Sequence, residues 1–201
     1  MRKKILIAVA SLLFFVQSKT IAQTGCGWKQ GDMFTRTQTD WDVATNWYNG
    51  YDQAYSSTFG VIEVGIPGTS GYSLRFTDGD RVTNFFVQSG NPAALTGDLV
   101  NTTSSPSGGF GGEIVALRMN IDFSDFNIAP YTSAYKFGDL ILYDLDNFPQ
   151  LNAPELNGKS VREIMDVCNL WLGGGTSISN MITLSDLLGY LNGSFSGGNP
   201  S

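Results

Sequence analysis

Two apolar stripes at helical spacing close this chain, and they restrict its fold more than any other feature. Ser160 and Glu163 form an S-x-x-E capping box, in which hydroxyl and carboxylate each satisfy a backbone N–H that a helix start leaves open. Val161, Ile164, Met165, Cys168, Trp171 and Leu172 then recur on one face of a 3.6-residue repeat. Gly173-Gly174-Gly175 ends the run, as glycine does at helix C-termini. Thr183 and Asp186 read as the cap of a second helix, with Leu184, Leu187, Leu188, Leu191 and Phe195 as its stripe. Two such helices across a short link predict a helical hairpin. Their apolar faces require a further layer to cover them.

The preceding chain reads as the β-rich part of that layer, so the expected class is α+β. "TFGVIEVGI" (58–66) is β-branched and bounded by Gly60 and Pro67-Gly68, and "YSLRFT" (72–77) alternates apolar and polar residues as a half-buried strand does. Asp78-Gly79 reads as the turn of a β-hairpin, leading into a strand or short helix over "RVTNFFVQSG". "EIVALRMNIDFSDF" (113–126) alternates like a strand, yet Ala, Leu, Arg and Met favour the helix that we expect there. A short buried strand is expected from Asp139 to Tyr143. Residues 26–56 hold Trp28, Trp41, Trp47, Tyr48, Tyr51 and Tyr55 without a clean period, and read as irregular apart from one short element. The Gly, Ser, Thr and Pro-rich stretch 89–112 is an ordered surface loop, or a division between halves. Leu95, Leu99, Val100 and Phe110 are its anchors.

The N-terminus has the layout of a secretory signal peptide. Arg2, Lys3 and Lys4 precede an apolar run from Ile5 to Val16, and Thr20-Ile21-Ala22 supplies small residues before a cut at Gln23. The expected mature chain, 23–201, is one secreted domain at the cell exterior. Periplasmic residence, or lipid attachment at Cys26, is the alternative. The apolar run is shorter than the roughly 20 residues of a membrane span, and no longer one follows. Of 12 basic residues, Arg2, Lys3, Lys4 and Lys19 lie in the leader, against none of the 18 acidic ones. The mature chain thus carries 8 basic and 18 acidic residues, a net charge of −10. That charge repels phosphate backbones and argues against a nucleic-acid partner.

The chain contains no histidine. This removes Ser-His-Asp and Cys-His catalysis and the commonest zinc sites. Its 2 cysteines, Cys26 and Cys168, either pair as a disulfide, as the compartment favours, or remain thiols. The bond would close a loop of about 140 residues, worth up to ~5 kcal/mol in the chain-entropy account. Acid pairs Asp78/Asp80, Asp122/Asp125 and Asp144/Asp146 read as turn and cap residues before they read as catalytic pairs. No catalytic residue is assigned. No cofactor is expected unless calcium, for which Asp144, Asp146, Asn147 and Asn152 offer oxygen ligands without EF-hand spacing. Trp41, Trp47, Tyr48, Tyr51 and Tyr55 form either a small aromatic core or a platform for a glycan or protein partner.

Four segments carry a resemblance: Ser89–Asp98 "SGNPAALTGD", Gly111–Asn120 "GGEIVALRMN", Leu156–Ile164 "LNGKSVREI" and Leu184–Phe195 "LSDLLGYLNGSF". In this order and texture they resemble an extracellular domain of large, repeat-containing surface proteins from Bacteroidetes-type bacteria. The resemblance implies location at the cell exterior and carries no assigned activity or functional residues. The expected function is therefore that of a non-enzymatic secreted or cell-surface module. It would act through protein or glycan contacts, as an accessory or structural part of a surface assembly. The alternative is a carbohydrate-binding or carbohydrate-active protein built on the aromatic cluster.

Overall fold

The structure is a computed structural model that describes residues 28–44, 48–58, 60–146, 151 and 153–201, with only the backbone of Tyr48 and Asn49. In chain order its elements are α1 (Gln38–Val43), α2 (Tyr48–Tyr55), β1 (Ile62–Gly65), β2 (Ser73–Phe76), α3 (Gly79–Phe85), β3 (Leu99–Val100), α4 (Gly109–Asp125), α5 (Val161–Leu172) and α6 (Met181–Gly193). The expected class holds: helices combine with one small sheet, and α5 and α6 make up the C-terminal part.

The helix α4 is the centre. Of its 17 residues 13 are buried, on every side. A helix wrapped all round shows no amphipathic stripe, which is why its sequence also alternates like a strand. α1, α2, β1, α5 and α6 all pack on it. Phe110, Ile114, Leu117 and Met119 are completely buried, each worth roughly 2–3 kcal/mol of apolar transfer. Gly112 leaves room for the Gln38 amide, which a Cβ there would displace.

The C-terminal stripes fold as their spacing predicts. Ser160 and Glu163 form the reciprocal capping box of α5. The stripe residues Val161, Ile164, Met165, Cys168 and Leu172 are buried. For α6 the cap is Asn180, whose side chain accepts from the Thr183 N–H at 2.9 Å, and the helix starts a turn before the expected Thr183. Leu184, Leu187, Leu188, Leu191 and Phe195 are buried. The principal partner of both helices is α4 rather than each other.

Three expectations are corrected. The β-hairpin exists, but β1 and β2 pair antiparallel from Ile62–Phe76 to Gly65–Ser73, so its turn is 66–72 and not Asp78-Gly79. Asp78 instead caps α3, accepting from the Arg81 N–H at 3.0 Å. Residues 139–143 are not a strand. A 3-10 turn, Phe137–Asp139, leads to a single bridge between Ile141 and Ser160, and Leu142 N–H donates to Lys159 O at 2.9 Å. The aromatic N-terminal stretch is not irregular, since it supplies α1 and α2. Thr37 and Asp40 form a second capping box that starts α1. The 89–112 stretch is ordered and adds β3, parallel to β2 in register Leu74–Leu99. Of its anchors, Leu95 and Phe110 are buried and Val100 is exposed.

The first and last described segments meet. Thr35 bridges Ser196, Gly31 N–H donates to Gly198 O at 2.8 Å, and Phe195 N–H donates to Thr35 Oγ1 at 3.0 Å. Trp28 lies edge-on to Phe195 and Tyr135 at 5.5 and 5.4 Å.

Candidate functional site

The site begins with polar residues on buried faces. Glu113 and Asn120 lie two turns apart on α4 and share the face that meets Asn192 of α6. Asn120 and Asn192 are completely buried, so each amide must find partners inside the protein. Asn192 Nδ2 donates to Glu113 Oε2 at 2.7 Å and to Glu113 O at 3.0 Å. Asn120 Nδ2 donates to Asn192 Oδ1 at 2.9 Å and to Arg36 O at 2.8 Å, while Asn120 Oδ1 accepts from Arg36 N–H at 2.9 Å. On the other side Gln38 Nε2 donates to Glu113 Oε1 at 2.7 Å and to Gly109 O at 3.5 Å. Gln38 Oε1 accepts from Gln88 N–H at 2.9 Å. Gln88 Nε2 in turn donates to Phe85 O and, at 3.1 Å, to Thr103 O. A continuous hydrogen-bonded chain, with amides joined on either side of the Glu113 carboxylate, thus runs from the loop after α3 to the core behind α6.

This chain surfaces in a groove of about 420 Å³. Gln38 and Gln88 form one wall, Gly109 and Glu113 of α4 the next, and Asp186, Gly189 and Tyr190 of α6 the opposite side. Glu113 is half-buried and Asp186 is exposed. Neither pairs with a described lysine or arginine, and Asp186 has no hydrogen-bond partner among the described residues. Space beside Gly189 is open: a Cβ there meets nothing within 4 Å.

The other end of α4 is electrostatically closed. Arg118 Nε donates to Asp122 Oδ2 at 2.6 Å. Arg162 holds Asp125 through two bonds of 3.0 Å and reaches Asp139 at 3.3 Å. Burial raises the Asp122 carboxyl above its usual value, and Arg118 only partly offsets this. The fully buried Tyr55 hydroxyl lies near Asp122, and its own ionisation is pushed far up, first by burial and then by that charge. It makes no hydrogen bond of full geometry. Asp122 and Asp125 thus anchor arginines, and Asp78 caps α3.

Of the two readings of the aromatic cluster, the core one holds for three of its five residues, which are too buried to serve as a platform. Trp41, Tyr51 and Tyr55 are core, with exposures of 0%, 1% and 2%. Trp41 stacks on Tyr131 at 6.0 Å and meets Phe123 edge-on at 5.0 Å, and the Arg36 guanidinium lies 5.2 Å from its ring. Tyr51 OH donates to Gly60 O at 2.6 Å. Short helices bury little area, and these large rings supply what they lack. Trp47 and the side chain of Tyr48 lie outside the described residues.

Of the calcium ligands, Asp144 and Asp146 are exposed, and Asp146 Oδ1 accepts from Asn157 Nδ2 at 2.9 Å. Asn147 and Asn152 lie outside the described residues. Among the described residues no group of three or more Cys, Asp or Glu gathers as metal ligands do. Cys168 is a free, completely buried thiol whose ionisation burial pushes well up. Its expected partner Cys26, like the leader, lies outside the described residues. No described helix is long and apolar enough to cross a membrane.

Comparison with known proteins gives no matching family model, no similar curated protein and no similar solved structure.

The sequence reading missed Gln38, Gln88, Glu113, Asn120 and Asn192. One signal was present. Glu113 and Asn120 are seven residues apart among apolar neighbours, and Asn192 follows Leu188 by one turn on the inward stripe of α6.

Proposed function

We propose that this chain is a non-enzymatic module of the cell exterior that acts by contact, with the groove between α4 and α6 as its contact site. The observation that carries this reading is the pairing of a fixed polar lining with open space. The network holds Gln38 and Glu113 in place at the cost of three buried amides, while the groove beside them is open and no described side chain closes it. Buried polar networks are demanding to satisfy, and concave sites with a few placed polar groups are the usual form of a binding site. The leader sequence and the surface-domain resemblance support the exterior location. Lack of histidine and the engagement of Asp122 and Asp125 by arginines support a role without catalysis.

Fractionation of source cells tests the reading. The wild-type chain is expected in the outer-surface fraction, and Gly189→Met, which fills the groove from an unobstructed position, is expected to release it into the medium. Wild-type chain found free in the medium would overturn the assignment.

A further inference from the structure

We infer that the groove takes a cationic group that only donates hydrogen bonds, namely the guanidinium or ammonium of a basic side chain on a protein partner. This rests on the contact reading above and names its chemistry.

The groove carries two carboxylates, and the amide donors of its lining are committed, which leaves hydroxyls as its side-chain donors. Both Nε2 protons of Gln38 are used, on Glu113 Oε1 and Gly109 O. Both of Gln88 are used as well, on Phe85 O and Thr103 O. Each Glu113 oxygen accepts one bond from within, from Gln38 and from Asn192, and a carboxylate oxygen has room for a second. The Asp186 carboxylate is unused among the described residues, and Ser185 supplies a hydroxyl. No lysine or arginine lines the groove. Two carboxylates therefore face the same space without a cation.

That inventory selects among ligands. A phosphate or carboxylate would meet like charge and few donors. A sugar hydroxyl could donate to Glu113, but it brings no charge to answer the two carboxylates, and with the amides committed its lone pairs would rely on the hydroxyls of the lining. Guanidinium and ammonium bring donors and no acceptors, so nothing on them is left unpaired. Their charge answers Glu113 and Asp186 together, and such charge-assisted bonds are the stronger kind. Glu113 is held at both oxygens before the ligand arrives, which lowers the ordering cost of binding. The open form of the groove suits a side chain whose backbone stays outside.

The test is calorimetric titration of the full chain with short, end-capped peptides that differ at one residue: arginine, lysine or citrulline. Free L-arginine and spermidine form a further arm. The arginine peptide is expected to bind, lysine more weakly, and citrulline at least roughly tenfold more weakly than arginine. Gly189→Met is expected to abolish arginine-peptide binding, and the exposed Asp186→Asn to weaken it about threefold, with loss at high salt. Equal binding of citrulline and arginine peptides, or binding that Gly189→Met leaves unmoved, would overturn the cation assignment. Tight binding of free arginine or spermidine at the peptide's affinity would overturn the protein source. If no cation binds while Gly189→Met still loses its place in the outer-surface fraction, this inference fails and the contact reading stands. If neither changes, both fail.

Discussion

The two ends of α4 use the same kind of residue in opposite ways. At its C-terminal end Asp122 and Asp125 each have an arginine, so the charges are spent on holding helices together. At its N-terminal end Glu113 is held by neutral amides alone, with no arginine beside it, at the edge of an open groove. A carboxylate paired with arginine is finished as an interaction. One oriented by amides is fixed in place yet still has charge to offer. The lesson is that the partner of an acid, rather than the acid itself, separates structural from contact chemistry.

The largest effect is expected at the groove end. Asn192→Ala removes the donor to Glu113 and the acceptor of Asn120 at a completely buried position, and should cost about 3 kcal/mol. Chemical denaturation measures it; a change under ~1 kcal/mol would mean that the amide chain is dispensable.

Next comes the closed end. Asp122→Ala strands Arg118 and should cost about 2 kcal/mol, below the full value for a buried pair because Arg118 keeps 37% of its side-chain surface. Its pH dependence carries a definite sign. Burial makes the folded chain hold the Asp122 proton more tightly than the unfolded chain does. The wild type should therefore gain on Asp122→Ala as pH falls from above the raised value to below the ordinary 3.8, and lose that gain as pH rises. Asp40 runs the other way. Burial pulls it up, but bonds from Thr37 and Ser196 and the nearby Arg36 outweigh this and leave it lowered. Its contribution is present above the ordinary value and fades on acidification. Denaturation midpoints of wild type, Asp122→Ala and Asp40→Ala across pH 2–7, roughly the carboxylate range, separate the two; slopes of the same sign would break the assignment.

Arg162→Met should cost only about 1 kcal/mol, since the two pairs it breaks, with Asp125 and Asp139, are partly exposed and screened by solvent. The difference should shrink at 1 M salt, where screening reaches about 3 Å. Smallest is Gly189→Ala, which should stabilise by about 0.5 kcal/mol, because alanine suits a helix interior better and its Cβ meets open space. A loss of stability there would show that the groove is filled in solution.

Legibility in the sequence followed exposure to solvent. α5 and α6 each keep one wet face, so their stripes, and the capping box at Ser160, could be read directly. The helix α4 has almost no wet face, so its period vanished from the pattern although the residues still favoured helix. Asp78-Gly79 carried a local signal that two structures can use, a turn or an N-cap, and the antiparallel pairing of β1 with β2 had already taken the turn at 66–72. Trp41, Tyr51 and Tyr55 are the same rings whether on a surface or in a core. Only the packing decided for the core: Phe123 and Tyr131 meet the Trp41 ring, and Tyr51 and Tyr55 tilt against each other at 4.7 Å.

By itself the sequence determined the α+β class, the two C-terminal helices and their inward faces, and the absence of histidine chemistry, because these depend on spacing and composition alone. The tertiary structure decided which acids meet arginine and which meet amides. Gln38, Gln88, Glu113 and Asn192 come from four separate stretches, with separations of up to 79 residues between bonded partners, and no local pattern records that meeting. The groove is a property of that assembly.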